Sequence, residues 1–174
     1  MKLQLLLTGN ELMAGDTIDS NSAMIAELIT DYGWRIDKKV TVGDDLKLLE
    51  QQIHTLANDC DVLIINGGLG PTVDDMTSLA LAHVTVNPIT EHPDALAHLN
   101  AWCVQKGFRL NKSNLKQAML PDGCHIIANS RGSAVGIRML IGNCLVLATP
   151  GVPGELRAMM KEEIIPPVSY THLR

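Results

Sequence analysis

Apolar residues follow two rhythms along this chain, and the rhythms alternate. Lys2–Leu7 is a leucine-rich run that predicts a first buried strand. Asn21–Tyr32 then sets Met24, Ile25, Leu28, Ile29 and Tyr32 at helical spacing, with Asp19 or Ser20 to cap it and Gly33 to stop it. Arg35–Val42 carries Ile36, Val40 and Val42 on one parity, a second strand. Leu46–Asn58 puts Leu46, Leu49, Ile53, Leu56 and Ala57 on one helical face. Asp61–Asn66 holds the unbroken apolar run Val62–Ile65, the pattern of a central parallel strand, and Met76–His83 predicts a short helix after it.

In the second half, Pro93–Lys106 predicts a helix with Leu96, Leu99, Trp102 and Cys103 inward. Asn111–Leu120 predicts another, stopped by Pro121, Asp122 and Gly123. Val135–Ile141 and Cys144–Ala148 flank Gly142–Asn143, a two-residue hairpin signal. Glu155–Ile165 closes the pattern as a helix. Strand–helix alternation implies an α/β fold, a three-layer αβα sandwich around a mostly parallel sheet. No interior linker appears, so residues 1–167 read as one domain. Val168–Arg174 is polar and aperiodic after Pro166–Pro167, and reads as a tail, either natural or a fusion or cloning remnant.

Composition narrows the functional classes. The 174 residues are 46% apolar and 19% charged, a globular balance, and the net charge is −5. An acidic chain argues against nucleic acid as the partner, since phosphate backbones need a basic face. No apolar run is long enough to span a membrane, and Gln4 interrupts the N-terminal one, so neither an anchor nor a secretory signal is expected. Cys60, Cys103, Cys124 and Cys144 form no CxxC pair and read as reduced thiols of a cytoplasmic protein. The six histidines form no HxH or HxxxH pair, so a metal here is expected to take oxygen ligands.

Four polar loops follow predicted strands directly: Thr8–Glu11, Gly43–Asp45, Asn66–Asp75 and Thr149–Glu155. In an open α/β sheet the loops at the carboxyl ends of parallel strands share one edge, where ligands bind. These four should therefore meet. Gly67, Gly68 and Gly70 allow backbone N–H groups to approach a ligand, and the following helix start favours an anion such as phosphate. Asp74 and Asp75 beside such a cradle call for a cation, Mg²⁺ or Mn²⁺, between carboxylate and phosphate. A tight turn before an Asp-capped helix accounts for the same residues equally well.

The remaining candidates each have two readings. Thr8 and Gly9 either contact a ligand or form an ordinary turn, and Asp44–Asp45 can cap the next helix. Asp16, Asp19 and Asn21 are capping or ligand residues, with capping favoured for Asp19. Glu155 either complements a helix dipole or enters the shared site as ligand or base. Lys112 and Lys116, four apart, would share a helix face that offsets a diphosphate or simply meets solvent. Arg131, in the loop Asn129–Gly136, could reach a phosphate or stay solvated.

Together, TGNEL at Thr8–Leu12, NGGLGPTVDD at Asn66–Asp75, NKSNLKQAMLP at Asn111–Pro121 and TPGVPGE at Thr149–Glu155 resemble the N-terminal domain of CinA-like, competence/damage-inducible proteins. That domain is related to molybdopterin-binding domains, including molybdopterin adenylyltransferases. The resemblance covers roughly residues 1–167 and implies the αβα fold and a homo-oligomer, a dimer or trimer. The molybdopterin branch usually carries a TGGTG-type loop, whereas Leu69-Gly70-Pro71-Thr72 here resembles the CinA-like branch. For that branch the resemblance implies a metal-dependent ADP-ribose pyrophosphatase yielding AMP and ribose 5-phosphate, with Mg, Mn, Co or Ni as the divalent metal.

On this reading Asp75, Asp74 and Glu155 hold the metal and carry the catalysis, while Thr8, Gly9, Gly67, Gly68, Gly70, Thr72, Asn111, Lys112 and Lys116 bind a small nucleotide substrate. Asn10 departs from the acidic residue usual at its position, and Gly154 from a frequent Ser. Some relatives add a C-terminal nicotinamide-mononucleotide deamidase domain, whose activity is not expected of residues 1–174 themselves, and the natural protein could continue into such a domain. Two alternatives stand beside hydrolysis: nucleotidyl transfer to a molybdopterin, and a non-catalytic nucleotide-binding module.

Overall fold

The computed structural model describes residues 1–172, and 173–174 of the expected tail lie outside them. The chain opens with β1 (Leu3–Thr8), a short α1 (Asn10–Ala14), α2 (Ser20–Thr30) and β2 (Ile36–Val42). α3 (Leu46–Ala57), β3 (Val62–Asn66) and α4 (Thr77–Thr85) follow. Asp19 caps α2 by accepting from Ser22 N, and Asp45 caps α3 by accepting from Leu48 N. These are two of the caps the sequence offers.

In the second half, β4 (Ile89–Glu91) leads to α5 (Pro93–Lys106), whose two ends match the expected ones. Pro93 starts it, where a missing N–H costs least, and Gly107 ends it at φ +71°. The helix expected over Asn111–Leu120 is broken. α6 is only Lys112–Leu115, a 3₁₀ turn covers Lys116–Ala118, and Met119–Pro121 is extended as β5. β5 pairs antiparallel with β4, so pairing with Ile89–Glu91 overrides the helical spacing of Leu120. β6 (His125–Ile127) was not expected, while β7 (Gly136–Ile141) and β8 (Cys144–Thr149) form the hairpin read from Gly142–Asn143.

The C-terminal helix is longer than expected. α7 (Pro153–Met159) passes through one π turn, Met160–Ile164, into α8 (Ile165–His172). Pro166 and Pro167, which have no N–H to donate, follow directly on the π turn, where the regular helical ladder is already interrupted. The stretch expected to be aperiodic therefore begins as helix, and Val168 is buried against the sheet.

The main sheet has the order β2-β1-β3-β8-β7-β6. β2, β1, β3 and β8 are mutually parallel, and β7 runs antiparallel to both its neighbours. Strand parity then sorts the core into two layers. Leu3, Leu5, Leu7, Val62, Ile64 and Leu147 face α2, α7 and α8 on one side. Leu6, Leu63, Ile65, Val146 and Ala148 face α3, α4 and α5 on the other. Both faces are covered, so the central strands read as unbroken apolar runs. The fold is the expected αβα sandwich with a mostly parallel sheet.

Val86, after the last turn of α4, sits at φ +56° and ψ +34°. A β-branched side chain in that left-handed region costs about 1–2 kcal/mol. Val86 is 89% exposed, so it has little packing to offset that strain. Val86→Gly is therefore expected to raise stability by about 1 kcal/mol, roughly 3 °C in Tm, after allowing for the entropy of the unfolded glycine. Calorimetric unfolding of the two proteins checks this, and an unchanged or lower Tm would contradict it.

Candidate functional site

The parallel register sets the ends of four strands in a row. Thr8 pairs with Val42, Leu7 with Asn66, and Asn66 with Thr149. The four polar loops expected to converge do so beyond these residues. They enclose a cleft of about 710 Å³, closed from the side by Gln117 and by Ser133–Ala134.

The glycine loop is held rigidly at its start. Gly67 N donates to Thr149 O at 2.9 Å, and Thr77, the first residue of α4, donates through Oγ1 to Gly67 O at 2.7 Å. Gly67 and Gly68 have φ +108° and +73°, and a Cβ on Gly67 would lie 2.6 Å from Thr8 O. Glycine is thus required by the packing of the loop on β1 as well as by ligand approach. Beyond this anchor, the N–H groups of Gly68, Leu69 and Gly70 find no acceptor among the described residues. All three residues line the cleft. Consecutive free N–H groups of this kind form an anion-binding concavity.

Asp75 folds back on the same loop. Its Oδ2 accepts from Thr72 N at 2.9 Å and Thr72 Oγ1 at 2.7 Å, and a Cβ on Gly70 would lie 2.6 Å from that oxygen. Oδ1 is left without a hydrogen-bond donor among the described residues. Asp74 also lines the cleft. Glu155, in the first turn of α7, reaches the opposite wall. Its Oε2 accepts from Asn129 Nδ2 at 2.8 Å, and its carboxylate packs on Gly132, where any Cβ would collide at 2.2 Å. Asn129 is buried and also donates to Ala134 O, while its Oδ1 accepts from Arg131 N and Gly132 N. The loop thus presents Asn129 to Glu155, and Arg131 is not among the cleft-lining residues.

Thr8 Oγ1 donates to Asp44 at 3.4 Å, and Gly9 N donates to Val42 O. Asp45 takes the helix cap, leaving Asp44 to face the cleft, where it accepts from Asn10 N and donates its own N–H to Asn10 Oδ1. The sequence treated the two aspartates as one capping pair, and a single helix start needs only one. Asn21 also turns toward this edge. Its Nδ2 donates to Asn66 Oδ1 and to Gly151 O, both at 2.8 Å. Gln117, buried beside the cleft, was not foreseen, and nothing in its sequence context marks it.

The structure does not bring the basic pair to the cleft. α6 gives way to a 3₁₀ turn at Lys116, so the two lysines do not lie on one continuous α-helix. Lys116 Nζ donates instead to the backbone oxygens of Thr72 and Asp75, the latter at 2.6 Å, and so pins the turn that carries Asp75. It lines a neighbouring pocket of about 340 Å³. Asn111 caps α6 by accepting from Asn114 N at 2.8 Å, and neither it nor the exposed Lys112 lines the cleft.

Among the described residues the lining therefore carries six carboxylates, Glu11, Asp19, Asp44, Asp74, Asp75 and Glu155, and no Lys, Arg or His. Among the described residues no three His, Cys, Asp or Glu side chains are gathered as a metal cage. Carboxylate oxygens are the donor type that a hard divalent cation takes, but the described side chains alone do not assemble a shell for one.

An α/β sandwich with a polar cleft across the carboxyl edge of its parallel strands is thus defined. The chain belongs to the family described as probable molybdopterin binding domain, whose model matches residues 4–170. It is 55% identical over 168 residues to a CinA-like protein of Colwellia psychrerythraea, covering 97% of this chain and 39% of that protein. A CinA-like protein of Shewanella baltica is 39% identical over 166 residues, covering 95% and 39%. The resemblance to CinA-like proteins is borne out, and the chain spans about two fifths of these relatives' length.

Among solved structures, the protein CinA of unknown function from Thermoplasma acidophilum superposes with a TM-score of 0.84 at 32% identity, covering 92% of this chain and 94% of that one. The molybdopterin biosynthesis enzyme MoaB of Thermus thermophilus superposes at 0.62 with 18% identity, covering 96% and 90%, a likeness of fold alone. No helix among the described residues is long and apolar enough to cross a membrane.

Asp19 links cleft and fold. Partial burial raises its pKa, but hydrogen bonds from Ser22 and the Lys39 ammonium at 3.0 Å outweigh this and hold it below the usual carboxylate range. A depressed carboxylate stabilises the fold above its unfolded pKa, and the contribution is lost as pH falls through the folded value. Asp19→Ala is expected to cost about 1 kcal/mol at neutral pH. The gap from wild type should shrink toward zero as the solution is acidified below the carboxylate range. Urea unfolding at a series of pH values measures it, and a gap that stays constant into acid would contradict the assignment.

Proposed function

We propose that this domain binds the diphosphate of a nucleotide in the cleft and hydrolyses it with a divalent cation. ADP-ribose is the proposed substrate, and AMP and ribose 5-phosphate the products. The observation that carries this reading is the pairing of three free N–H groups, at Gly68, Leu69 and Gly70, with a lining of carboxylates and no basic side chain. A phosphate can dock on such amides. In that field its own negative charge needs a cation beside it.

When bound, the cation neutralises phosphoryl charge and polarises phosphorus toward attack. Asp75 and Asp74, at the end of the glycine loop, would hold it together with phosphate oxygens, while Glu155 on the facing wall is not gathered with them into one ligand group. The chain's own groups do the rest. The loop amides fix the phosphoryl oxygens, Thr72 and Lys116 keep Asp75 in place, and Asn129 orients Glu155 so that its free oxygen can take the proton of the attacking water.

A second reading uses the same cradle for nucleotidyl transfer to a pterin phosphate. It is favoured by the family's description and by the biosynthetic enzyme that shares the fold.

Incubation of the protein with ADP-ribose and Mg²⁺, Mn²⁺, Co²⁺ or Ni²⁺, followed by chromatography, is expected to yield AMP only when metal is present. Asp75→Ala should lower the rate by about 100-fold or more while the circular dichroism spectrum is kept. Absence of AMP with every metal, from folded protein, would overturn hydrolysis. Adenylyl transfer from ATP to molybdopterin would then establish the second reading.

A further inference from the structure

Away from the cleft, at the amino ends of the central strands, two cysteines face each other. Cys60 closes the loop before β3, and Cys144 is the first residue of β8. Their sulfurs lie 3.7 Å apart although 84 positions separate them in sequence. The backbones meet at the same point, where Leu145 N donates to Asp61 O at 2.9 Å and Val62 pairs with Leu145. The strand starts are therefore already fixed, and they hold the two sulfurs close to the disulfide length of about 2.05 Å.

The two sulfurs are unequal in access and character. Cys60 is partly exposed, and Cys144 is buried in the core. The Cys144 thiol bonded to Cys60 favours the Cys60 thiolate, against the opposing effects of burial and of Asp59 and Asp61. Cys144 is raised by the same bond and by burial. Cys103 and Cys124 are buried without a thiol neighbour among the described residues, and burial pushes Cys124 up to about 11. A partly exposed thiol whose ionisation its neighbour favours, 3.7 Å from a buried partner thiol, is the arrangement of a reactive and a resolving cysteine.

We propose that Cys60 and Cys144 form a reversible redox modification site that closes to a disulfide on exposure to a hydroperoxide. The Cys60 thiolate attacks one peroxide oxygen and the O–O bond breaks. The leaving oxygen takes a proton and departs as water, or as an alcohol from an alkyl peroxide, leaving Cys60 a sulfenic acid. The Cys144 sulfur then displaces that hydroxyl, its proton leaves with it as a second molecule of water, and the S–S bond forms. Two thiols lose two electrons and the peroxide gains them. The link joins strands whose opposite ends carry Asn66 and Thr149, so it staples β3 to β8 without entering the cleft.

The chain is to be treated with hydrogen peroxide, quenched, unfolded and titrated for free thiols, with proteolytic mapping by mass spectrometry under non-reducing conditions. The expected result is loss of two of the four thiols, one cross-linked peptide pair joining Cys60 to Cys144, and recovery of all four with dithiothreitol. Oxidised wild type should also unfold at a higher temperature than reduced. Cys60→Ser, at a half-exposed position, should keep its three remaining thiols under the same treatment. Four free thiols after peroxide, a link through Cys103 or Cys124, or a singly oxidised Cys60 with Cys144 still free would each overturn the proposal.

Discussion

Asn66 ends β3 with its side chain buried, and its amide holds three segments at once. Nδ2 donates to Thr149 Oγ1 and Pro150 O on the β8 loop, and Oδ1 accepts from Asn21 Nδ2 on α2. Asn21 in turn donates to Gly151 O. A buried amide that loses its partners carries a desolvation penalty of about 1–3 kcal/mol, so these bonds are made together or not at all. Because Pro150 O and Gly151 O can only accept, the network also fixes which end of each amide donates. The glycine loop begins one residue later, at Gly67, and inherits its position from this junction. Where the glycine loop sits is thus tied to one asparagine at a strand end.

The cleft built on that junction has an uneven electrostatic character. Among the described residues its built-in attraction for an anion is the row of free backbone amides, and its charged side chains are all acidic. Lys116, in the neighbouring pocket, is committed to the carbonyls of Thr72 and Asp75. An anionic ligand therefore has to bring, or share, positive charge. Asp75 is well placed for this, since Thr72 occupies only one of its oxygens. The shape of the loop and the charge of the cleft point to the same kind of ligand.

Much of this was legible in the sequence. Continuous apolar runs marked β1 and β3, helical spacing marked α2, α3 and α5, and Gly142–Asn143 marked the hairpin. The topological rule for parallel sheets predicted that four distant loops would meet, and they do. What failed was short or tertiary. β4, β5 and β6 have three residues each, too few for a period to register. Lysines four apart look alike whether they face a ligand or a backbone carbonyl, so the role of Lys116 as a staple was invisible. The bond from Asn129 to Glu155 joins residues 26 apart through packing alone. Cys60 and Cys144 show no motif spacing because neighbouring strands, not neighbouring residues, bring them together.

The central claim is that the cradle takes a phosphate only together with a cation. Calorimetric titration of ADP-ribose into Asp75→Ala and wild-type protein, each with Mn²⁺ and again with excess chelator, tests it directly. The account expects wild-type affinity to fall by more than about tenfold in chelator, a loss of roughly 1.4 kcal/mol or more, with Asp75→Ala weak in both conditions. Equal wild-type affinity with and without the metal would contradict it.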